Sequence, residues 1–134
     1  MRTILFLVLS AFLISACSDK NDAAEDKLER AAETGAALAG PLPAALGLSE
    51  AQLLDADIVG ADGKELGDVA QVLRGADDKV DRLLVEIDGS HPDRYVHVPI
   101  TGLKVVVQGT DTGLETPMTK DELAALPEVK LPAP

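Results

Sequence analysis

The sequence predicts an all-β domain over residues 51–129, a small barrel or sandwich, and three observations carry that expectation. Short runs of Val, Ile and Leu recur at intervals of roughly 8–12 residues. Gly and Asp clusters separate these runs, and several of them alternate apolar with polar residues, the period that puts every second side chain on one face of a strand. Only one segment within the domain, near its C-terminal end, has the signature of a capped helix.

Residues 54–59 read as a first strand and Ala61-Asp62-Gly63-Lys64 as a hairpin turn, because Asp-Gly accepts positive φ at little cost. Residues 65–73 return as the second strand. Gly67 interrupts it, and a glycine inside a strand permits the bulge or sharp coil with which a small barrel turns its corner. After a turn at 75–79, residues 80–88 form a third strand with Leu83, Val85 and Ile87 on one face. A loop at 89–93 leads into residues 94–100, where Val96, Val98 and Ile100 alternate with Tyr95, His97 and Pro99. That spacing places Tyr95 and His97 together on the outer face. Pro99 has no N–H to donate and so belongs at a strand end. Leu103, Val105 and Val107 mark the inward face of a fifth strand, and residues 114–116 a short closing strand after the turn at 109–113. Thr119-Lys120-Asp121-Glu122 is a capping box that opens a short helix, stopped by Pro127. Residues 130–134 are expected to be a disordered tail.

The chain begins with different chemistry. Arg2 followed by an apolar run from Ile4, closing on Leu13-Ile14-Ser15-Ala16-Cys17, reads as a secretory signal over residues 1–16. The run is well short of the ~20 apolar residues that a membrane span needs. Ile14-Ser15-Ala16-Cys17 resembles the lipobox of bacterial lipoproteins. The resemblance implies that Cys17, the only cysteine, becomes the first residue of the mature chain and carries a thioether-linked diacylglycerol and an N-acyl chain. At ~0.8 kcal/mol per buried methylene, several acyl chains anchor firmly. Ser18, rather than Asp, follows the cysteine, which favours the outer over the inner membrane, with the protein on the periplasmic face.

Residues 17–50 are rich in Ala, Asp, Glu and Gly and contain Gly40-Pro41-Leu42-Pro43. They read as a flexible acidic tether. Asp22 and Glu25 could cap a transient helix over 22–34, but no continuous stripe of large apolar residues is available to dock it. As a coil, the ~36 residues after Cys17 span ~30–36 Å.

Residues 53–129 resemble the PRC-barrel family, the small β-barrel found in the H subunit of photosynthetic reaction centres and in a ribosome maturation factor. The residues that carry the resemblance are Asp62-Gly63-Lys64-Glu65-Leu66-Gly67-Asp68-Val69, Leu84-Val85-Glu86-Ile87, Tyr95-Val96-His97-Val98-Pro99-Ile100 and Met118-Thr119-Lys120-Asp121-Glu122-Leu123. The resemblance implies a six-stranded barrel and protein–protein contact, through strand edges or a surface that includes Tyr95 and His97. The quinone-linked carboxylates of the one relative and the ribosome-contacting residues of the other find no matching motif here.

Composition then removes several function classes. A formal net charge of −11 argues against nucleic acid, since a phosphate-tracking surface needs Lys and Arg clusters. Beyond the signal the chain has one aromatic, Tyr95, so stacking platforms for bases or sugars are lacking. His91 and His97 are the only histidines, and no zinc set can be assembled from them. Asp55, Asp57 and Asp62, and Asp77-Asp78, lack the spacing of a calcium loop and read as turn residues. With no Gly-x-Ser-x-Gly and no nucleophile set beside a base, no enzyme, metal or cofactor is expected. The expected function is a non-enzymatic, membrane-anchored adaptor or structural envelope module, with a protein partner or self-association. A periplasmic binding protein for a small ligand or cation is the alternative.

Overall fold

The computed structural model describes residues 20–132; the expected signal segment, Cys17 and the last two residues lie outside them. The two longest strands, β4 (Glu65–Arg74) and β5 (Val80–Ile87), pair antiparallel at the centre of a mixed sheet. On one side follow β6 (Tyr95–Pro99) and β9 (Glu128–Val129). On the other stand β3 (Asp57–Val59), then β8 (Asp111–Glu115), which runs parallel to β3, and finally β7 (Lys104–Gln108). Leu83, Val85, Val96, Val98, Ile58 and Leu114 are fully or almost fully buried on one face. Leu53 from α2 (Glu50–Leu54) and Leu123 from α3 (Lys120–Ala124) complete that core.

The chain is thus mainly β with a short helix near its C-terminal end, as expected, and the Thr119–Glu122 capping box is formed in both directions. The closed six-stranded barrel is corrected to an open sheet of seven strands, with β7 and β9 at its two ends. Part of the difference is local. Residues 50–54 fold as a helix because Ser49 and Gln52 make a second capping box, which shortens the first strand to three residues. Residues 128–129, beyond Pro127, add a strand against Tyr95 and Val96. A second correction concerns facing. Leu103 is buried, but Val105 is 39% and Val107 71% exposed, because β7 is the outermost strand and nothing among the described residues lies beyond it.

The expected coil over residues 17–50 is, from residue 20 onward, ordered structure. Residues Lys20–Ala39 form α1, which packs against α2 and β4. Its contact stripe is Ala24, Leu28, Ala32 and Ala36, one residue every fourth, with the three alanines buried. Alanine is the strongest helix former and its small side chain lets the helix axis approach the sheet closely, so docking needs no large apolar stripe. Gly40, at φ +69°, ends the helix by returning its N–H to the Ala36 carbonyl at 3.1 Å. Residues β1 (Pro43–Ala45) and β2 (Leu48–Ser49) then form a small hairpin. Arg74 Nη2 meets the buried Glu50 carboxylate at 2.9 Å, which ties α2 to the end of β4. Residues Lys130, Leu131 and Pro132 run beside α1 and line a cleft with Ala24, Lys27 and Leu28.

Candidate functional site

Strand register assembles an acidic row that no local motif announces. Asp57 stands opposite Asp68, Asp68 opposite Glu86, and Glu86 opposite Tyr95, so four adjacent strands contribute one rung on the outer face of the sheet. Like charges directly opposite one another are unfavourable in a sheet. The Tyr95 hydroxyl relieves one end by donating to Glu86 Oε2 at 3.1 Å. Helix α1 lies along the row, and Glu25, Glu29 and Glu33 join Asp68, Glu86 and Tyr95 around a cleft of about 380 Å³.

The electrostatic result is a set of carboxyls that hold protons more tightly than usual. Burial, more than any neighbour, pushes Glu86 up, and the Asp93 and Asp68 charges add to it. Asp68 rises through burial and then the Asp57 charge, Glu65 chiefly through the Asp57 charge, and Glu25 through burial and Asp93. Burial and the charges of Glu86 and Glu25 drive the Tyr95 phenol far above its ordinary range, so it is a permanent donor. Asp57, Glu65 and Asp68 each bring a carboxylate oxygen within 4.8 Å of the others. This convergence was not foreseen in the sequence, which placed Asp57 in a turn-forming group. The antiparallel pairing of residues 57–59 with 65–68 was its only signal. Chemically the row attracts cations and protons. It sets no nucleophile beside a base.

Tyr95 and His97 do not share a free face. Tyr95 is 5% exposed beneath α1, whereas His97 is exposed and closes the next rung, Gln71, Leu84 and His97. That rung floors the second cleft, about 260 Å³, whose other lining residues include Lys27, Leu73 and Lys130. His91 is exposed in the turn before β6. Cys17 lies outside the described residues.

Among the described residues, the exposed large apolar side chains of the sheet, Val105 and Val107, are both on β7. Residues 94–110 contain no Asp or Glu, although the chain has 23 acidic residues, and Lys104-Val105-Val106-Val107-Gln108 lies in that stretch. The hairpin β7–β8 turns through Gly109-Thr110, with Gly109 at φ +66°, and pairs Gln108 with Asp111, Val106 with Gly113 and Lys104 with Glu115. A two-residue loop closes on a hydrogen-bonded pair, and such pairs alternate along an antiparallel ladder. Val106 therefore bonds inward to β8, and Val105 and Val107 turn their N–H and C=O groups toward the open edge. Val106 packs over Gly113, at which a Cβ would come within 3.2 Å of Val106 Cγ2.

No helix among the described residues is long and apolar enough to cross a membrane. No protein-family model matches the chain, and no curated protein matches it.

Proposed function

We propose that the chain is a non-enzymatic adaptor of the bacterial envelope, a PRC-barrel-type module held at the periplasmic face of a membrane, the outer membrane in preference, by lipid on Cys17. The observation that carries the binding role is the open β7 edge, where two exposed valines and unpaired backbone groups stand on a strand free of acidic residues. Exposed edges of this kind are templates for a further strand, and the side chains beside them supply the apolar contact. The order of turns, strands and capped helix from residue 53 to residue 129 supports the family resemblance. The lipobox supports the anchor.

The anchor and the adaptor role separate experimentally. Cys17→Ala is expected to move the chain from the membrane fraction to the soluble fraction or to block its processing, as read by fractionation and intact-protein mass spectrometry. Full membrane retention of a processed Cys17→Ala chain contradicts lipid anchoring. In chains that keep Cys17, Val106→Pro removes a β7–β8 hydrogen bond and kinks the edge. It is expected to abolish contacts made through β7 while leaving the chain in the membrane fraction.

A further inference from the structure

We propose that the strand added to β7 is the β7 of a second copy of this chain, joined antiparallel about a two-fold axis at Val106. The inference rests on the adaptor reading and names its partner. An antiparallel pair of identical strands is self-complementary only in certain registers, because residues opposite one another must both present their backbone groups to the shared edge. Val105 and Val107 are the residues of β7 that do so. Centring the axis on Val106 pairs Val105 with Val107 of the second copy, and Val107 with its Val105, for four backbone hydrogen bonds. Lys104 then faces Gln108 of the other copy. All five residues of the strand find a partner, whereas axes at Val105 or Val107 leave part of the strand facing loop residues.

Charge selects the same surface. Two chains of net charge −11 repel one another, and β7 itself brings no acid to the contact, since the neighbouring acids Asp111 and Glu115 stand on β8, on the side of Gln108 and Lys104 away from the open edge. Lys104 opposite Gln108 brings no like charges together. The four valines, two from each copy, lie on one face and continue the strip begun by Leu114 and Ile58, which are fully buried. A five-residue edge buries less than the ~1,000 Å² of a stable soluble interface. Confinement of both copies to one membrane surface raises their effective concentration and favours so small a contact.

Disulfide trapping reads the register directly. In this arrangement Val106 and its symmetry mate form a non-hydrogen-bonded pair, whose Cα atoms lie ~4.5 Å apart and within the range a disulfide bridges. Full-length chain carrying Val106→Cys, oxidised in intact membranes, is expected to give a covalent dimer on a non-reducing gel. Lys104→Cys, whose mates are held four residues apart, and the unsubstituted chain are expected to stay monomeric. Adding Val105→Lys and Val107→Lys to the Val106→Cys chain sets lysine against lysine and is expected to reduce the dimer at least fivefold. A monomeric Val106→Cys chain, or equal dimer from Lys104→Cys, overturns the proposal. If a photo-crosslinker at Val107 then captures a different protein, the adaptor reading stands without self-pairing. If it captures nothing, both fall.

Discussion

Gly67 pairs with Ile87 in the β4–β5 ladder, and the space where a side chain would sit belongs to its neighbours. A Cβ there would collide with the Glu86 carbonyl oxygen and lie 3.0 Å from Val85 Cγ1. Gly67→Ala is therefore expected to lower stability by about 2–3 kcal/mol in urea unfolding, more than any loss of backbone freedom could offset. An unchanged midpoint contradicts the close approach. This glycine was legible in the sequence as an interruption in a strand, and so was the alternation that separates Tyr95 from Val96. The burial of Tyr95 was not, because it depends on α1, which is remote in sequence. The acidic row has its own consequence. Glu25, Glu65, Asp68 and Glu86 hold their protons above their ordinary values of 4.5 and, for Asp68, 3.8. Unfolding removes the burial and the neighbouring charges, so above the ordinary carboxylate range the folded chain binds more protons than the unfolded one. Stability should therefore rise as pH falls from 7 to about 5, and fall as pH is raised through the elevated values. Glu122, held down by the Thr119 backbone N–H, works in the opposite direction only below its ordinary value of 4.5. Thermal melts across this range check the sign, and a melting temperature that falls steadily from pH 7 to pH 5 contradicts the account.

At the scale of elements, the strands were legible because their signals are local. Turn residues and period-two alternation located β4, β5, β6 and β8 to within a few residues, and the Thr119 capping box located α3. Two things escaped. Helix α1 docks through alanines spaced four apart, a stripe that reads as low-complexity spacer when large apolar residues are the criterion. The exposed side of Val105 and Val107 escaped because alternation names two faces without saying where a sheet ends. The β1–β2 hairpin offers a test of whether residues beyond α1 are structured. Its turn places Leu46 at φ +53° and Gly47 at φ +77°, a conformation that disfavours a leucine and favours Asn-Gly. Leu46→Asn is expected to raise stability by about 0.5–1 kcal/mol in chemical denaturation, since Leu46 is itself exposed and loses little packing. A substitution without effect would mean that residues 43–49 behave as the coil first expected.

For the whole molecule, charge and anchoring act together. The net charge of −11 disfavours close approach of two copies over most of their surface, whereas the edge strand β7 itself carries no acid, its neighbours Asp111 and Glu115 standing on β8 opposite Gln108 and Lys104. A lipid on Cys17 would hold the copies on one membrane surface at high local concentration, where a short edge suffices for contact. Helix α1, about 30 Å long at 1.5 Å per residue, is packed on the sheet, so residues 20–39 contribute none of the reach that a coil of residues 17–50 would give. A lipid on Cys17 would then hold the module closer to the headgroups than such a coil would. The central claim is that contact is made through the β7 edge, and in-cell photo-crosslinking tests it most directly. A photoreactive residue replacing Val107 in the full-length chain is expected to give a crosslinked species in the membrane fraction, with none from the same residue replacing the exposed Asp81 on β5. Equal crosslinking at the two positions, or none at Val107, contradicts it.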